Sequence, residues 1–378
     1  MNFEIHNITH FVCYMTMFFL LFIGGKSISR HNDWKYWLLP IIAFTLNEGL
    51  RFARGTDYIV YARVFETHVN GDVINIEPLW HFICWIVGGL LHLPWPAMVF
   101  LMSFFMILSS FFYLKEHKNV LCYALPLFAY QAMNAENLAR WFFAFSFVLI
   151  AISFYENEID VKKKRLYSLL FLGLALLIHY GIILVEIFVV LLATRKKVLF
   201  TPGISVILLI LVYLTFSPDL LGNFTNFAYL LNFGGRFDSY TDNISQWVES
   251  SEDYSYSYID LIVSLIYINV GYKLVKKYPQ ILLAFNVGLI GCILAPFMRT
   301  IEMTWRISAC LTYFQFIIFA YMMAEKRGFS TMTYRLQSLV IIFVYLRVLW
   351  GGSFKKTSEE VLYLWDVAFN YDLISSYL

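Results

Sequence analysis

Charge is what this chain has least of. Only 14% of its 378 residues are Asp, Glu, Lys or Arg, against about 25% in an average soluble domain. The net charge is +2, which gives nucleic acid no electrostatic handle. Cysteine is scarce as well. Cys13, Cys84, Cys122, Cys292 and Cys310 all fall in apolar stretches with no paired spacing. They read as small buried hydrophobes rather than a disulfide framework. There is no HExxH pair and no glycine loop able to cradle a phosphate. No cleavable leader is evident, so the first apolar segment is expected to stay as an anchor.

What the chain has in abundance is apolar surface. It is 60% hydrophobic and 19% aromatic, with mean hydropathy +0.65. That composition predicts an all-α polytopic membrane protein, a single transmembrane domain over 1–378. The length allows about 11 to 13 transmembrane or re-entrant helices at about 20 residues each. Apolar spans are readable near 9–25, 36–53, 96–114, 119–133, 138–155, 199–216, 257–273, 279–297, 305–324 and 336–350. Two polar regions, 54–78 and 217–256, are expected as external loops.

The basic residues alternate in kind between the spans. Lys26 to Lys35, Lys115 to Lys118, Lys162 to Arg165, Arg195 to Lys197, Lys273 to Lys277 and Lys326 to Arg335 are lysine-rich. Between them lie Arg51, Arg54 and Arg63, then Arg140, then Arg236, then Arg299 and Arg306, with no lysine. Lysine-rich short loops mark the cytoplasmic side, so the arginine-only set is expected on the opposite face. Arginine is the residue that grips phosphate or carboxylate with a planar fork. This side preference also sorts the ambiguous segments. Residues 79–93 are expected to be interfacial or re-entrant, and 166–193 to break into two short arms meeting at His179-Tyr180, keeping both flanking basic clusters inside.

Several residues in this pattern can carry chemistry. Arg51 and Arg54, three apart, would share a face if helical, and Gly55 would let Asp57 turn back over the membrane. The plainer reading pairs Arg51 with Glu48 as an interfacial anchor. Glu136 and Arg140 are one turn apart, as a local ion pair or as a charge held in an apolar run for function. His179 is either a hydrogen-bonded core residue or a general base. Arg299, Glu302 and Arg306 fall on one helical stripe with one surplus positive charge. Arg236 is the only base in an acidic, aromatic loop, after Gly234-Gly235.

Taken together, these pieces resemble the EpsG family of polysaccharide-synthesis membrane proteins, and more widely the Wzy-type O-antigen and capsule polymerases. The matching segments are Arg51-Phe52-Ala53-Arg54-Gly55-Thr56-Asp57-Tyr58 with Tyr61, Glu77-Pro78-Leu79, Asn137-Leu138-Ala139-Arg140, His179-Tyr180, and Arg299 with Arg306. Trp141 departs from the pattern, since the family often has a polar residue after the arginine. The resemblance implies a fold similar to multi-span lipid-dependent glycosyltransferases in the bacterial inner membrane. It implies transfer of a growing glycan from undecaprenyl diphosphate to a sugar hydroxyl of a lipid-linked repeat unit at the periplasmic face. On that reading Asp57, His179 and Glu77 are candidate bases. Arg51, Arg54, Arg140, Arg236, Arg299 and Arg306 hold diphosphate, and Tyr58, Tyr61, Asn137, Tyr180 and Glu302 contact substrate. No metal or cofactor is expected. Expected partners are lipid-linked glycans, a chain-length regulator and a flippase. The competing readings are a flippase of lipid-linked oligosaccharide, which needs a charged path through the membrane, and an O-acyltransferase, which needs a cytoplasmic thioester site.

Overall fold

In hydrocarbon no water satisfies the backbone, so long apolar runs must close their own hydrogen bonds as helices. A computed structural model of the chain describes residues 2–31, 33–54, 57–71, 77–136, 138–157, 160–215, 257–298, 302–325, 331–354 and 361–368. Its regular structure is helical. Among the described residues the one extended pairing is an isolated antiparallel bridge between Arg51 and Tyr363. Among the described residues, seven helices are long and apolar enough to cross a membrane: Ile5–His31, Trp95–Leu114, Ala139–Glu156, Tyr258–Lys277, Pro279–Pro296, Trp305–Ala324 and Arg335–Phe354. Three shorter apolar helices, Pro78–Leu90, Tyr180–Ala193 and Pro202–Thr215, accompany them. The protein is an all-α, multi-pass membrane protein.

The chain forms two compact units, Met1–Glu186 with Phe319–Leu378, and Ile187–Ile318. In the first unit, α1 (Asn2–His31), α2 (Leu38–Gly49), α3 (Tyr58–Val69), α4 (Pro78–Cys84), α5 (Trp95–Leu114), α6 (Leu121–Ala132), α7 (Ala139–Asn157) and α8 (Val161–Ile178) follow in order. Helix α1 packs on α2 and α6, α5 on α2 and α7, and α7 on α8. The crossing of α1 over α6 is tight: a methyl at Gly25 would come within 2.5 Å of the Leu121 carbonyl oxygen.

Three expected spans are shorter than the sequence pattern suggested, the one near 199–216 being a helix of 14 residues, Pro202–Thr215. Helices α2 and α6 have 12 residues each, about 18 Å at 1.5 Å per residue, against a hydrocarbon core of about 30 Å. Apolar composition continues past Gly49, but the backbone leaves the helix to pair with the C-terminal segment. Phe52 N–H donates to Leu362 O at 3.0 Å and Leu364 N–H to Leu50 O at 2.8 Å. The segment 79–93, expected to be interfacial or re-entrant, forms the short apolar helix Pro78–Leu90. α4 continues as one π-helical stretch, Trp85–Leu90. The interruption expected at His179 is also present: that residue alone is extended (φ −155°, ψ 108°) between α8 and the 3-10 turn Tyr180–Ile182.

Helix α3 was not anticipated. It lies in the polar region 54–78, and its buried residues Tyr58, Tyr61, Phe65 and His68 are spaced three, four and three, which puts them on one stripe. Tyr58, Tyr61 and Phe65 meet the Trp95 ring at 6.0, 6.3 and 5.7 Å between centroids, docking α3 on the start of α5.

Within this unit the lysine-rich turns gather at one end. Ser29 Oγ donates to Lys118 O at 2.5 Å, Asp160 caps α8 before Lys162, and the Lys164 ammonium lies 4.3 Å from the Tyr155 ring. Arg140 begins α7, so it lies a full helix away from that end. The unit is closed by α9 (Ile183–Ala193) as far as Glu186, and by the later part of α14 (Gln315–Ala324), α15 (Thr331–Phe354) and α16 (Leu364–Ala368). Tyr345 of α15 stacks on Tyr130 of α6 at 3.6 Å.

In the second unit, α10 (Pro202–Thr215), α11 (Tyr258–Lys277), α12 (Leu282–Met298) and α13 (Glu302–Tyr313) pack as α10 on α11 and α12, α11 on α12, and α12 on α13. Asn286 of α12 ties down the 195–199 turn, accepting from Leu199 N–H at 3.0 Å and donating to Lys197 O at 3.2 Å. The loop 217–256 lies outside the described residues.

His117, in the turn between α5 and α6 and outside the spanning helices, yields a stability prediction. Its Nδ1 pairs with Tyr321 Oη at 2.9 Å, and burial pushes its pKa down to about 4. The unfolded chain takes up this proton near pH 6.5, the folded one only near 4. Stability from neutral His117 is therefore complete above about 6.5 and is lost as pH falls towards 4. The loss by pH 5 is about 2 kcal/mol. Thermal unfolding in detergent should show a smaller drop between pH 7.5 and pH 5 for His117→Gln than for the parent chain.

Candidate functional site

Four of the residues singled out in the sequence converge in the first unit around Glu77. Glu77 is the residue before Pro78, whose fixed φ suits the first helical position of α4. Glu77 is buried, and both carboxylate oxygens are engaged. Arg140 Nη1 donates to Oε2 at 3.2 Å, and Tyr180 N–H donates to Oε1 at 3.2 Å. His179 Nδ1 stands 3.7 Å from Oε1. The His179 Nδ1 also accepts from Gly181 N–H at 3.1 Å, so in the neutral ring the proton belongs on Nε2. The sequence placed Glu136 next to Arg140 as a local pair. The structure instead joins Arg140 to Glu77, 63 residues away.

Trp141, the departure from the family pattern, positions this cluster. Its ring meets His179 edge-on at 4.7 Å, and it is buried. A methyl at Gly181 would lie 2.5 Å from Trp141 Cζ3, so the tight turn after His179 requires glycine. Arg140 and Trp141 thus act from adjacent positions on the first turn of α7. The other wall is Trp80, fully buried, with the Arg140 Cζ 5.8 Å from its ring centre. Arg140 retains 19% side-chain exposure, and its Nε is buried with no hydrogen-bond partner. One end of the fork is thus committed to Glu77, and the Nε edge is not. A planar cation that keeps partial exposure is suited to a phosphate oxygen.

Arg54 is held quite differently. It is 0% exposed. Its Nη1 pairs with Glu136 Oε1 at 3.2 Å, its Nε donates to Leu362 O at 3.1 Å, and its guanidinium lies 3.8 Å over the Tyr363 ring. Tyr14, midway along α1, donates to the same Glu136 oxygen at 2.7 Å. Tyr363 Oη donates to Asn47 Oδ1 at 2.8 Å, Asn47 Nδ2 to Glu48 Oε1 at 3.0 Å, and Arg51 Nη1 to Glu48 Oε2 at 3.2 Å. Two arginines and two glutamates therefore form one network that ties α1, the end of α2, the 133–136 turn and the C-terminal segment together. Despite the desolvation that opposes it, the Arg54 pKa is raised, through Tyr363 and Glu136 first among its neighbours. Arg51 and Arg54 do not share a helix face: α2 has already ended at Gly49, and Arg51 lies in the bridge to Tyr363.

The remaining candidates are dispersed. Asp57 is half-buried at the start of α3, where its carbonyl accepts from Tyr61 N–H at 2.8 Å. Tyr58 and Tyr61 are buried against Trp95, and burial pushes the Tyr58 hydroxyl up to about 12. Tyr180 exposes 41% of its surface. In the second unit Glu302 opens α13, and Arg306, one turn on, is half-buried. Asn137, Arg236 and Arg299 lie outside the described residues. Sequence reasoning passed over Trp80, Tyr363 and the pair His68–His81. Only the stripe of α3 carried a signal for one of them.

A polytopic α-helical body with a carboxylate-clamped arginine and a histidine at one end of its first unit defines a multi-pass membrane protein with a buried charged cluster. The profile of the EpsG family matches residues 34–364, most of the chain. The chain belongs to the EpsG family, a family of Wzy-type polysaccharide polymerases. No curated protein and no solved structure matches it. The matched stretch contains Arg54, Glu77, Arg140, His179 and Tyr363, so both clusters belong to the family region, and Tyr14 of α1 precedes it.

The buried network predicts a large asymmetry. Arg54→Met leaves Glu136 uncompensated and should cost about 3–5 kcal/mol. Adding Glu136→Gln should return a substantial part of that loss. A double-mutant cycle on thermal unfolding in detergent checks it, and additive losses would show that the two side chains are not coupled.

Proposed function

We propose that this protein extends a polysaccharide by transferring the growing glycan from undecaprenyl diphosphate to a sugar hydroxyl of a lipid-linked repeat unit at the periplasmic face. The observation that carries the reading is Arg140: a guanidinium clamped by Glu77 at one end, still partly exposed, and placed beside His179 at the end of the unit away from the lysine-rich turns. Family membership supports the polymerase class. The acceptor hydroxyl attacks the anomeric carbon, the bond to the diphosphate oxygen breaks, and the lipid diphosphate departs with the electron pair. Negative charge grows on that leaving group, and fixed cations that meet it lower the barrier. Arg140 is assigned that role, with no metal.

Glu77 holds the fork in register. With Oε2 on Arg140 and Oε1 on the Tyr180 amide, it orients rather than accepts a proton. Neutral His179, with its Nδ1 taken by Gly181 N–H, is arranged to donate from Nε2. Arg51 and Arg54, both engaged in the buried network, support the site's walls. A single displacement of this kind inverts the anomeric configuration, so the stereochemistry of the new linkage is a direct check.

The decisive assay uses purified protein and lipid-diphosphate-linked repeat units. Wild type should produce a ladder of lengthening glycans. Arg140→Lys keeps charge but removes the fork, and should reduce elongation about 100-fold without loss of folding. A wild type that moves the lipid-linked unit across the bilayer intact, with no ladder, would overturn the polymerase reading in favour of a flippase.

A further inference from the structure

A pair of histidines lies next to the Glu77 cluster and has no part in the reaction described above. His68 is in the last turn of α3 and His81 in the last turn of α4. Their Nδ1 atoms are 2.8 Å apart, with ring centroids at 4.9 Å and planes at 62°. Two imidazole nitrogens at that distance share one proton, one ring donating and the other accepting. The pair is asymmetric in exposure. His68 is 1% exposed, whereas His81 is exposed. The far nitrogen of His68, Nε2, is buried with no hydrogen-bond partner. Native proteins leave few buried polar atoms unpaired, and each such atom calls for a reason.

Charged neighbours set the state of His68. Burial, then His81, then Arg140 lower its pKa, and Glu77 opposes them. His68 is therefore neutral at physiological pH. With its proton on Nδ1, donated to His81, it presents a lone pair at buried Nε2. The competing acceptors in the cluster are committed: Glu77 to Arg140 and the Tyr180 amide, His179 Nδ1 to Gly181.

We propose that His68 is the base that removes the proton of the acceptor hydroxyl, and that His81 carries that proton out of the site. The proposal rests on the polymerase reading and deepens it. The O–H bond of the acceptor breaks as its oxygen bonds to the anomeric carbon, and the proton goes to His68 Nε2. His68 Nδ1–H passes to His81 Nδ1, and His81 releases its own Nε2 proton to water. Both rings end neutral with tautomers exchanged, and proton exchange with water restores them. Arg140 serves twice, stabilising the leaving diphosphate and keeping His68 unprotonated. The charged groups acting on His68 from outside the pair are Arg140 and Glu77, and the helices that carry the two histidines also bear Tyr58, Tyr61, Arg63, Glu66 and Cys84. In acid a second proton enters the dyad, two cations meet across 2.8 Å, and the relay is blocked.

The test is elongation by the full-length protein in lipid nanodiscs, followed against pH with a lipid-diphosphate-linked repeat unit. His68→Gln should lower kcat about 100-fold with little change in KM. His68→Gly should recover activity when imidazole is added, which a purely structural role does not permit. His81→Gln, at an exposed position, should stay folded, lower kcat and displace the acid limb of the pH profile. An unchanged kcat and acid limb in both glutamine variants would overturn the proposal. So would loss of the acid limb in Asp57→Asn alone, which would assign the base to Asp57. Absence of imidazole rescue in a folded His68→Gly protein would reduce the pair to a structural contact. A wild type that builds no ladder fails at the earlier step, and the polymerase reading falls with it.

Discussion

A charge placed among apolar helices must be paired where it lies, and this structure is arranged around that requirement. Arg54 is fully enclosed, so it has given up its bulk solvation. Glu136, the Leu362 carbonyl and the Tyr363 face supply the compensation, and each comes from a different part of the chain. The short helix α2, the return of the C-terminal segment to Leu50 and Phe52, and the packing of α1 at Tyr14 are all conditions of that pairing. Removing one partner would leave an isolated ion in a medium that barely supports it, so the network also defines where these segments meet.

The second group of charges follows the same rule with one difference. Glu77 neutralises Arg140, yet the arginine keeps an unpaired edge and partial exposure. The pair is rigid because its supports are rigid: Pro78 starts α4, Trp80 and Trp141 wall the guanidinium and the imidazole, and Gly181 lets the chain turn tightly beneath Trp141. A cation fixed in this way needs little reorganisation when negative charge develops next to it, which is the physical basis of electrostatic catalysis. The His68–His81 pair adjoins this arrangement through the same two charged residues, so in the proposed reaction leaving-group stabilisation and proton removal would share one electrostatic centre.

The all-helical, multi-pass class was legible because hydropathy records burial in lipid directly. The break at His179 was legible because basic clusters on both flanks constrain which ends can share a side. The meeting of Glu77, Arg140, His179 and Tyr180 was visible as a set of residues but not as a set of contacts. Glu136 and Arg140 looked like partners at helical spacing; the 3-10 turn ending at Glu136 sends the two side chains to different partners. Arg51 and Arg54 looked like one helical face, yet α2 stops before them. Helix α3 could have been found from its three-four-three stripe of Tyr58, Tyr61, Phe65 and His68, but its polar surroundings masked it.

The sequence by itself determined the solvent of this protein, and with it the helical class, the segregation of lysine from arginine, and the residue types available for an anion. Those properties depend on local composition, and each segment carries its own share of them. Which arginine is fully enclosed and which keeps partial exposure was decided only in three dimensions. Arg54 and Arg140 are chemically identical and lie in similar apolar contexts, so no local feature separates them. Their difference arises from partners 82 and 63 residues away, and from whether a C-terminal segment returns to cover one and leave the other exposed. Long-range pairing of that kind is a property of the packed chain alone.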